Sequence, residues 1–460
     1  MTALAIDIND ASLVVADRDR VLASEPGYAL VDGAGVLTGW HAYRLGRLKP
    51  RYVSNEFWAN LSLEPGSAGL DGSRSAADLA YAQLESLWKA HKDTAREILL
   101  VVPARYGAAE LGLLLGLAQE CGMPIRAMVD VAVAASAKPY PGRQLLYVDA
   151  GLHRVSVTPL KQAEQVAARP EHALETAGLA SLMETLARRV AEIFVLATRF
   201  DPFRQAESEQ LLYDRLPEWL RAVHDQGEAD LTLPFDGTDY VAKVRSDQLL
   251  GAAAGFYRAI VQLIAQSREP GQSLTVQISD RLAGLPGLET ELARLDDTEI
   301  VVLPAGHAAR AALRALDAID QGQGQVKLLK HLLWRDAADP GADAAAAAPR
   351  ARMRVAARAL APTHIVYRGI AYPIGGEGIV IGRTALEGRR MIVVDDQRGG
   401  VSSSHCEILL RDGEIKLHDL SRHGTFVNEK RVAGEAVLHA ADVIRIGSPG
   451  AELVAVRAEF

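Results

Sequence analysis

A low-complexity stretch, residues 336–362, divides this chain into two parts that we expect to fold separately. It is dominated by Ala, Pro, Asp and Arg and contains no aromatic residue. It therefore offers little apolar surface to bury, which is typical of a linker. The chain has 460 residues, whereas one hydrophobic core stops growing at about 250–300 residues. We predict a large domain over residues 1–335 and a smaller one over residues 363–460.

The larger part alternates strand-like apolar runs with longer helical patterns, which indicates an α/β domain. Two pairs of apolar runs predict β-hairpins: ALAIDI with SLVVAD, and QLLYVDAG with RVSVTPL. The first run of each pair contains an aspartate near its end, Asp7 or Asp149. Helices are predicted over residues 107–121, 179–199, 207–223 and 247–266. Because strand–helix units follow both hairpins, we expect two lobes of related topology, over about residues 1–145 and 146–335.

The order of these segments resembles the actin, sugar-kinase and DnaK-type chaperone ATPase fold, a two-lobed, ribonuclease-H-like α/β architecture. The resemblance spans about residues 1–335. Its most specific part is residues 98–137, where a strand ending in Val-Pro-Ala precedes a helix, a strand and an acidic residue that opens an Ala-rich helix.

This resemblance implies that two hairpins clasp the phosphates of ATP and its Mg²⁺, using backbone N–H groups and carboxylates. Asp7 then lies in the first clasp, and Asp149 and Gly151 lie in the second. Asp130 takes the place of the acidic residue that orients the attacking water. The catalytic candidates are therefore Asp7, Asp130 and Asp149.

The clasps depart from the family in their glycines. The first clasp is typically Asp-x-Gly but here reads DINDAS, and Leu152 follows Gly151 where the family has a second glycine. Ser279 and Asp280 replace the Gly-Gly pair of the adenosine-binding element. Side chains at such positions obstruct close phosphate approach, and Asp10 and Asp280 add negative charge. We therefore expect a catalytically degenerate module.

The smaller part contains many short strands separated by Gly and Asp turns, which predicts an all-β sandwich. It carries four ordered motifs: Gly382-Arg383, SSSHCEI at 402–408, DLSRHGTFVN at 419–428 and DVIRIG at 442–447. Together they resemble a forkhead-associated (FHA) domain. Four ordered elements are more specific than any single short motif.

The FHA resemblance implies that loops at one end of the sandwich bind phosphothreonine peptides. A phosphothreonine brings about −1.5 to −2 charges, which arginine and hydroxyl donors recognise. We assign peptide binding to Arg383, Ser402, Arg422 and His423. In this assignment Arg422 supplies the positive charge that is missing at Ser403, where the family has an arginine. His423 stands where the family has an asparagine. The resemblance gives structural roles to Gly382, His405, Gly424, Thr425 and Asn428. The alternative is that these loops dock proteins without phosphate.

Composition excludes several other classes of protein. There are 50 basic and 58 acidic residues, a net charge of −8, which argues against a general nucleic-acid binder. No uncharged apolar run reaches the roughly 18 residues of a membrane span, and the first residues lack the basic region of a signal peptide. Cys121 and Cys406 belong to no metal-binding motif. We expect a cytoplasmic protein with no metal site in these motifs.

These observations favour a phosphothreonine-dependent interaction or scaffold protein. Its expected partner is a threonine-phosphorylated protein, and by family resemblance a bacterial serine/threonine kinase system supplies the phosphate. The alternative is an active DnaK-type or actin-like ATPase that is regulated or recruited through its FHA domain. A filament subunit is a third reading, because polymerising proteins share the fold.

Overall fold

The computed structural model describes most of the chain in two compact units, residues 1–342 and 343–460. The described residues are 2–33, 35–66, 74–316, 326–334, 361–367, 370–375, 378–384, 389–394, 400–411, 414–422, 424–428, 430–432, 434–439, 442–447 and 450–456. The predicted linker at 336–362 lies almost entirely outside these residues.

The first unit is built from strands and helices that alternate along the chain. Its strands are β1 (Thr2–Asp7), β2 (Leu13–Ala16), β3 (Val21–Glu25), β4 (Ala29–Asp32), β5 (Gly35–Thr38), β6 (Val53–Ser54), β7 (Ala95–Val102), β8 (Ile125–Asp130), β9 (Arg143–Ala150), β10 (Val155–Gln162), β11 (Gln165–Ala168), β12 (His172–Leu174), β13 (Glu228–Phe235), β14 (Thr238–Arg245), β15 (Ser273–Ile278), β16 (Thr298–Val302), β17 (Lys327–Leu329) and β18 (His331–Leu333). Its helices are α1 (Trp40–Tyr43), α2 (Ala76–Lys89), α3 (Ala108–Glu120), α4 (Val131–Ala135), α5 (Leu179–Thr198), α6 (Ala206–Gln226), α7 (Ser246–Ser267), α8 (Leu288–Leu292) and α9 (His307–Arg314). Short 3₁₀ turns lie at Pro50–Tyr52 and Pro202–Arg204.

Two large sheets form the frame of this unit. The first has the order β3-β2-β1-β7-β8-β17, in which β1, β2 and β3 are antiparallel and β1, β7, β8 and β17 are parallel. The second has the order β18-β11-β10-β9-β15-β16, with β12 also pairing β10. Here β9 and β10 are antiparallel, whereas β9, β15 and β16 are parallel. Each sheet therefore places a hairpin strand beside parallel strands.

Side-chain alternation along the strands lets both faces of each sheet pack against helices. In the first sheet, Leu4 and Ile6 face a cluster with α2 and α3, whereas Ala5 faces a second cluster with α4 and α9. In the second sheet, Tyr147 lies in the same cluster as Ala5, so the two sheets share this cluster. Leu146 instead faces α5, α6 and α7. The shared cluster holds the two sheets together and brings their hairpins to one place.

One helix of this unit, α7, is long and apolar enough to cross a membrane by length and composition alone. No membrane span was expected from the sequence, because no uncharged apolar run reaches about 18 residues. Residues Leu249, Tyr257 and Ile264 of α7 are buried in the cluster that covers the second sheet, so one face of the helix packs against that sheet.

The second unit is a sandwich of two sheets. Its strands are β19 (His364–Tyr367), β20 (Ile370–Pro373), β21 (Ile379–Gly382), β22 (Met391–Val393), β23 (Cys406–Arg411), β24 (Glu414–Asp419), β25 (Thr425–Val427), β26 (Lys430–Arg431), β27 (Glu435–Val437), β28 (Val443–Gly447) and β29 (Gly450–Val456). The sheets have the orders β20-β19-β29-β28-β25-β26 and β22-β21-β23-β24-β27. Buried residues from both, including Ile381, Ile408 and Ile446, form one core. All-β architecture was predicted for this part of the chain and is observed.

Candidate functional site

The two hairpin aspartates meet at a buried arginine, Arg281. Its Nη2 donates to Asp7 Oδ2 at 2.6 Å, and its Nη1 lies 3.3 Å from both carboxylate oxygens of Asp149. The Arg281 side chain is only 4% exposed, and the two carboxylates are buried with it. Arg281 Nη2 also donates to the carbonyl of Ser12, in the first hairpin, at 3.1 Å. A protein cation therefore fills the space between the two predicted clasps.

Asp7, Asp149 and Arg281 form a buried triad whose charges depend on one another. Burial raises the pKa of Asp7 to about 6, because loss of hydration outweighs the attraction of Arg281, and Asp149 adds repulsion. Burial alone lowers the pKa of Arg281, but the carboxylates of Asp7 and Asp149 hold that pKa well above its ordinary value. Removal of the guanidinium would leave two buried like charges side by side.

A carboxylate in the turn of the first hairpin is hydrogen-bonded to the backbone of the second hairpin. Asp10 Oδ1 accepts a hydrogen bond from the Leu152 N–H at 2.8 Å. A Cβ at Gly151 would lie 2.4 Å from the same oxygen, so glycine is required for this approach. Asn9 adds a second bridge, donating from Nδ2 to Asp149 Oδ2 at 3.2 Å.

These contacts do not fit the ATP and Mg²⁺ that the family resemblance implies. A metal ion between the clasps would have to displace the Arg281 guanidinium. A phosphate group approaching the Leu152 N–H would meet the carboxylate of Asp10, which repels it. Across the described residues, no group of three or more His, Cys, Asp or Glu side chains is placed to hold a metal ion.

The other acidic residues near the clasps cap backbone groups. Asp130 is the N-cap of α4, and its Oδ1 accepts from the N–H groups of Ala132 and Val133 at 3.0 and 3.2 Å. Asp280 Oδ2 accepts from the Gly306 N–H at 3.2 Å. Both carboxylates therefore accept backbone N–H groups, and Asp130 does so as an N-cap.

A cleft of about 400 Å³ opens beside the hairpins. Its lining includes Asn9, Asp10, Arg105, Gly151, His153 and Arg154. The cations of the cleft already have protein partners. Arg154 pairs with Glu171 at 2.6 Å and Glu175 at 3.2 Å, and Arg105 donates to two backbone carbonyls. The cleft therefore presents little free positive charge to an anion.

A second set of contacts joins the parts of the unit that carry the two sheets. Tyr43 Oη, in α1, donates to the Tyr213 carbonyl in α6 at 3.1 Å. The Gln210 side chain accepts from the Arg47 N–H at 2.7 Å and donates to the Tyr43 carbonyl at 3.2 Å. The Arg47 guanidinium lies 3.8 Å from the centre of the Tyr213 ring, a cation–π distance.

In the sandwich, Arg383 follows β21 at the end of the strand. Its N–H donates to the Ser402 carbonyl at 3.0 Å, which joins the Gly382-Arg383 segment to the 402–405 loop. A Cβ at Gly382 would lie 2.0 Å from the Ser403 carbonyl oxygen, so this approach requires glycine. The Arg383 side chain is exposed and makes no ion pair or hydrogen bond within the described residues.

His405 links this loop to the next. It is fully buried, its Nδ1 accepts from the Ser402 N–H at 3.1 Å, and its Nε2 donates to the Gly424 carbonyl at 3.2 Å. The Ser402 hydroxyl accepts from the Arg422 N–H at 3.3 Å. Hydrogen bonds of Arg383 and Arg422 to Ser402 thus bring the three residues to one end of the sandwich.

The residues expected to have structural roles form hydrogen bonds beneath these loops. Thr425 Oγ1 donates to Asp419 Oδ1 at 2.7 Å. Although burial opposes the change, hydrogen bonds from Ser421 and Thr425 lower the pKa of Asp419. Asn428 has a left-handed backbone (φ 49°) and donates to Asp442 at 2.7 Å. The predicted ligand residue His423 lies outside the described residues.

Arg281 was not among the residues predicted from the sequence. A signal was present, because a basic residue directly follows Asp280 at the end of the predicted strand LTVQIS. Two buried carboxylates without glycine-rich phosphate loops also require a cation from elsewhere.

Comparison with protein families identifies an FHA domain at residues 379–447. No curated protein matches the chain. The matched residues contain Arg383, the 402–405 loop and the 419–428 segment. An FHA domain implies phosphothreonine-dependent protein interaction.

Proposed function

We propose that this chain, through its FHA domain, is an adaptor that binds a threonine-phosphorylated protein produced by a serine/threonine kinase system. The main support is the exposed guanidinium of Arg383, which has no ion-pair or hydrogen-bond partner among the residues that the structure describes and follows a strand joined to the loop that His405 fixes. An arginine remains charged at every physiological pH and binds phosphate with paired donors. A pre-ordered loop lowers the entropy cost of binding.

The neighbouring groups complement a phosphate. The Ser402 hydroxyl accepts from the Arg422 N–H, so its own proton is free to donate to a phosphate oxygen. Arg422 is exposed, and this backbone contact places it beside Ser402. Two guanidinium groups and one hydroxyl suit the charge of about −1.5 to −2 that a phosphothreonine carries.

A degenerate peptide library tests this function. Full-length protein is probed with three libraries that share flanking sequences and place phosphothreonine, phosphoserine or threonine at the fixed position. We expect binding from the phosphothreonine library and none above background from the threonine library. Equal binding from all three would contradict a phosphate-dependent adaptor.

We further propose that residues 1–335 form an actin- or DnaK-like module that does not hydrolyse ATP. The repeated strand order of the two sheets and the aspartate-bearing hairpins support the fold. The Arg281 ion pairs support the loss of activity, since the chain supplies its own cation where the family resemblance implies a metal. Asp10 places an anion against the second hairpin, where that resemblance implies a phosphate.

Nucleotide binding provides the test of this second proposal. We expect no heat of binding when ATP with Mg²⁺ is titrated into the full-length protein at millimolar nucleotide, and no phosphate release. The same titration with EDTA controls for binding without metal, and a titration with ADP controls for binding of the diphosphate. Micromolar ATP binding with hydrolysis that Asp149→Ala abolishes would instead support the alternative function, an active ATPase recruited through its FHA domain.

A further inference from the structure

A third arginine, Arg431, reaches Gly424, in the segment that also carries Arg422. A Cβ placed on Gly424 would lie 2.8 Å from Arg431 Nε and 3.3 Å from its Cζ and Nη2. The guanidinium therefore lies over Gly424, the residue whose carbonyl accepts from His405. Gly424 has φ 92°, a left-handed conformation that favours glycine, and the missing side chain leaves room for Arg431.

The backbone fixes the position of Arg431. It pairs with Phe426 in the ladder between β25 and β26, and the Val432 N–H donates to the Thr425 carbonyl at 2.9 Å. Successive side chains on a strand point to opposite faces. Arg431 and its neighbour Lys430 therefore leave the strand on opposite sides, and both are exposed.

The positive charge of Arg431 has no protein counter-charge within the described residues, where its side chain forms no ion pair or hydrogen bond. The Asp419 carboxylate, which lies in the same segment as Arg422, is already bound by Ser421 and Thr425. An exposed guanidinium beside a ligand-binding loop is therefore available to a bound molecule.

The charges of the site exceed those of one phosphothreonine. Arg383 and Arg422 provide two positive charges, which balance a phosphate of about −1.5 to −2. Arg431 adds a third. We infer that Arg431 binds a second anionic group of the phosphothreonine ligand, either an acidic side chain or a second phosphate close to the first. This inference rests on the proposed phosphothreonine binding.

The test uses three phosphothreonine peptides that share one core sequence selected from the library. One has neutral flanks, one has Asp and Glu flanks, and one carries a second phosphothreonine. Each is titrated into wild-type protein, Arg431→Gln and the matched control Lys430→Gln. The unphosphorylated neutral peptide serves as the reference.

We expect the wild type to bind at least one of the two acidic peptides about threefold to tenfold more tightly than the neutral peptide, as for an exposed charge pair or a charge-assisted bond. The arm with the larger gain identifies the source of the anion. Arg431→Gln should bring this ratio close to one and leave the neutral peptide's affinity within about twofold, whereas Lys430→Gln should keep the ratio.

An unchanged ratio in Arg431→Gln, or no preference in the wild type, would overturn the role of Arg431. Failure of every phosphorylated peptide to bind better than the unphosphorylated reference would overturn the proposed function itself. The two failures are therefore distinguishable.

Discussion

Arg281→Met is expected to lower the free energy of unfolding of the first unit by about 3–5 kcal/mol, the usual cost of breaking a buried ion pair. The substitution leaves Asp7 and Asp149 buried beside each other without a cation. All five tryptophans lie within residues 1–335, so tryptophan fluorescence in a denaturant titration reports on this unit. Arg221→Met, at an exposed position of α6, is the control and should change stability by less than about 0.5 kcal/mol.

The pH dependence identifies the cause of this loss. The pKa of Asp7 is about 6 in the folded protein, above its ordinary value of 3.8, and loss of Arg281 raises it further. A carboxyl with a raised folded pKa stabilises the folded state as it takes up a proton. The free energy of unfolding of Arg281→Met should therefore recover as pH falls from 7 towards 4.

Two further results bear on the same triad. Asp7→Asn combined with Arg281→Met should be more stable at pH 7 than Arg281→Met alone, since one buried charge is removed. A pH-independent loss in Arg281→Met, or a loss no larger than that of Arg221→Met, would show that the ion pairs do not hold the hairpins together.

Arg383→Ala is expected to weaken phosphopeptide binding by about tenfold to a hundredfold, because a hydrogen bond to a charged group contributes about 1.5–3 kcal/mol. The unphosphorylated peptide should bind both proteins equally weakly. Fluorescence anisotropy of a labelled phosphothreonine peptide measures the difference.

Arg411→Ala is the matched control for this substitution. Arg411 is exposed and ends β23, which begins directly after the 402–405 loop, so it lies about 17 Å along the strand from that loop. Its loss removes the same charge from the domain without touching the loop. Similar weakening by Arg383→Ala and Arg411→Ala would indicate that overall charge, rather than a phosphate contact, controls binding.

Local sequence patterns predicted the two hairpins and the long helices of the first unit. A helix expected over residues 107–121 is observed as Ala108–Glu120, and one expected over 247–266 is observed as Ser246–Ser267. Both hairpins are present. These segments combine apolar periodicity with turn and cap residues, information that lies within a few residues along the chain. The Asp130 cap of α4 was visible for the same reason.

The long-range contacts of Arg281 and Arg431 could not be predicted from local sequence patterns. The Arg281–Asp7 pair joins residues 274 positions apart, and no local pattern states which distant charge will fill a buried gap. Arg431 is similarly brought to Gly424 by pairing between β25 and β26. In contrast, Gly382, Ser402 and His405 were assigned from motif order, because their contacts are built into the motifs themselves.

Phosphothreonine-dependent binding is tested by a calorimetric titration of the full-length protein with one peptide in two forms, threonine and phosphothreonine. We expect the phosphorylated form to bind and the threonine form to bind at least about a hundredfold more weakly, because several charge-assisted hydrogen bonds are lost. Equal affinity for the two forms would contradict phosphothreonine-dependent binding.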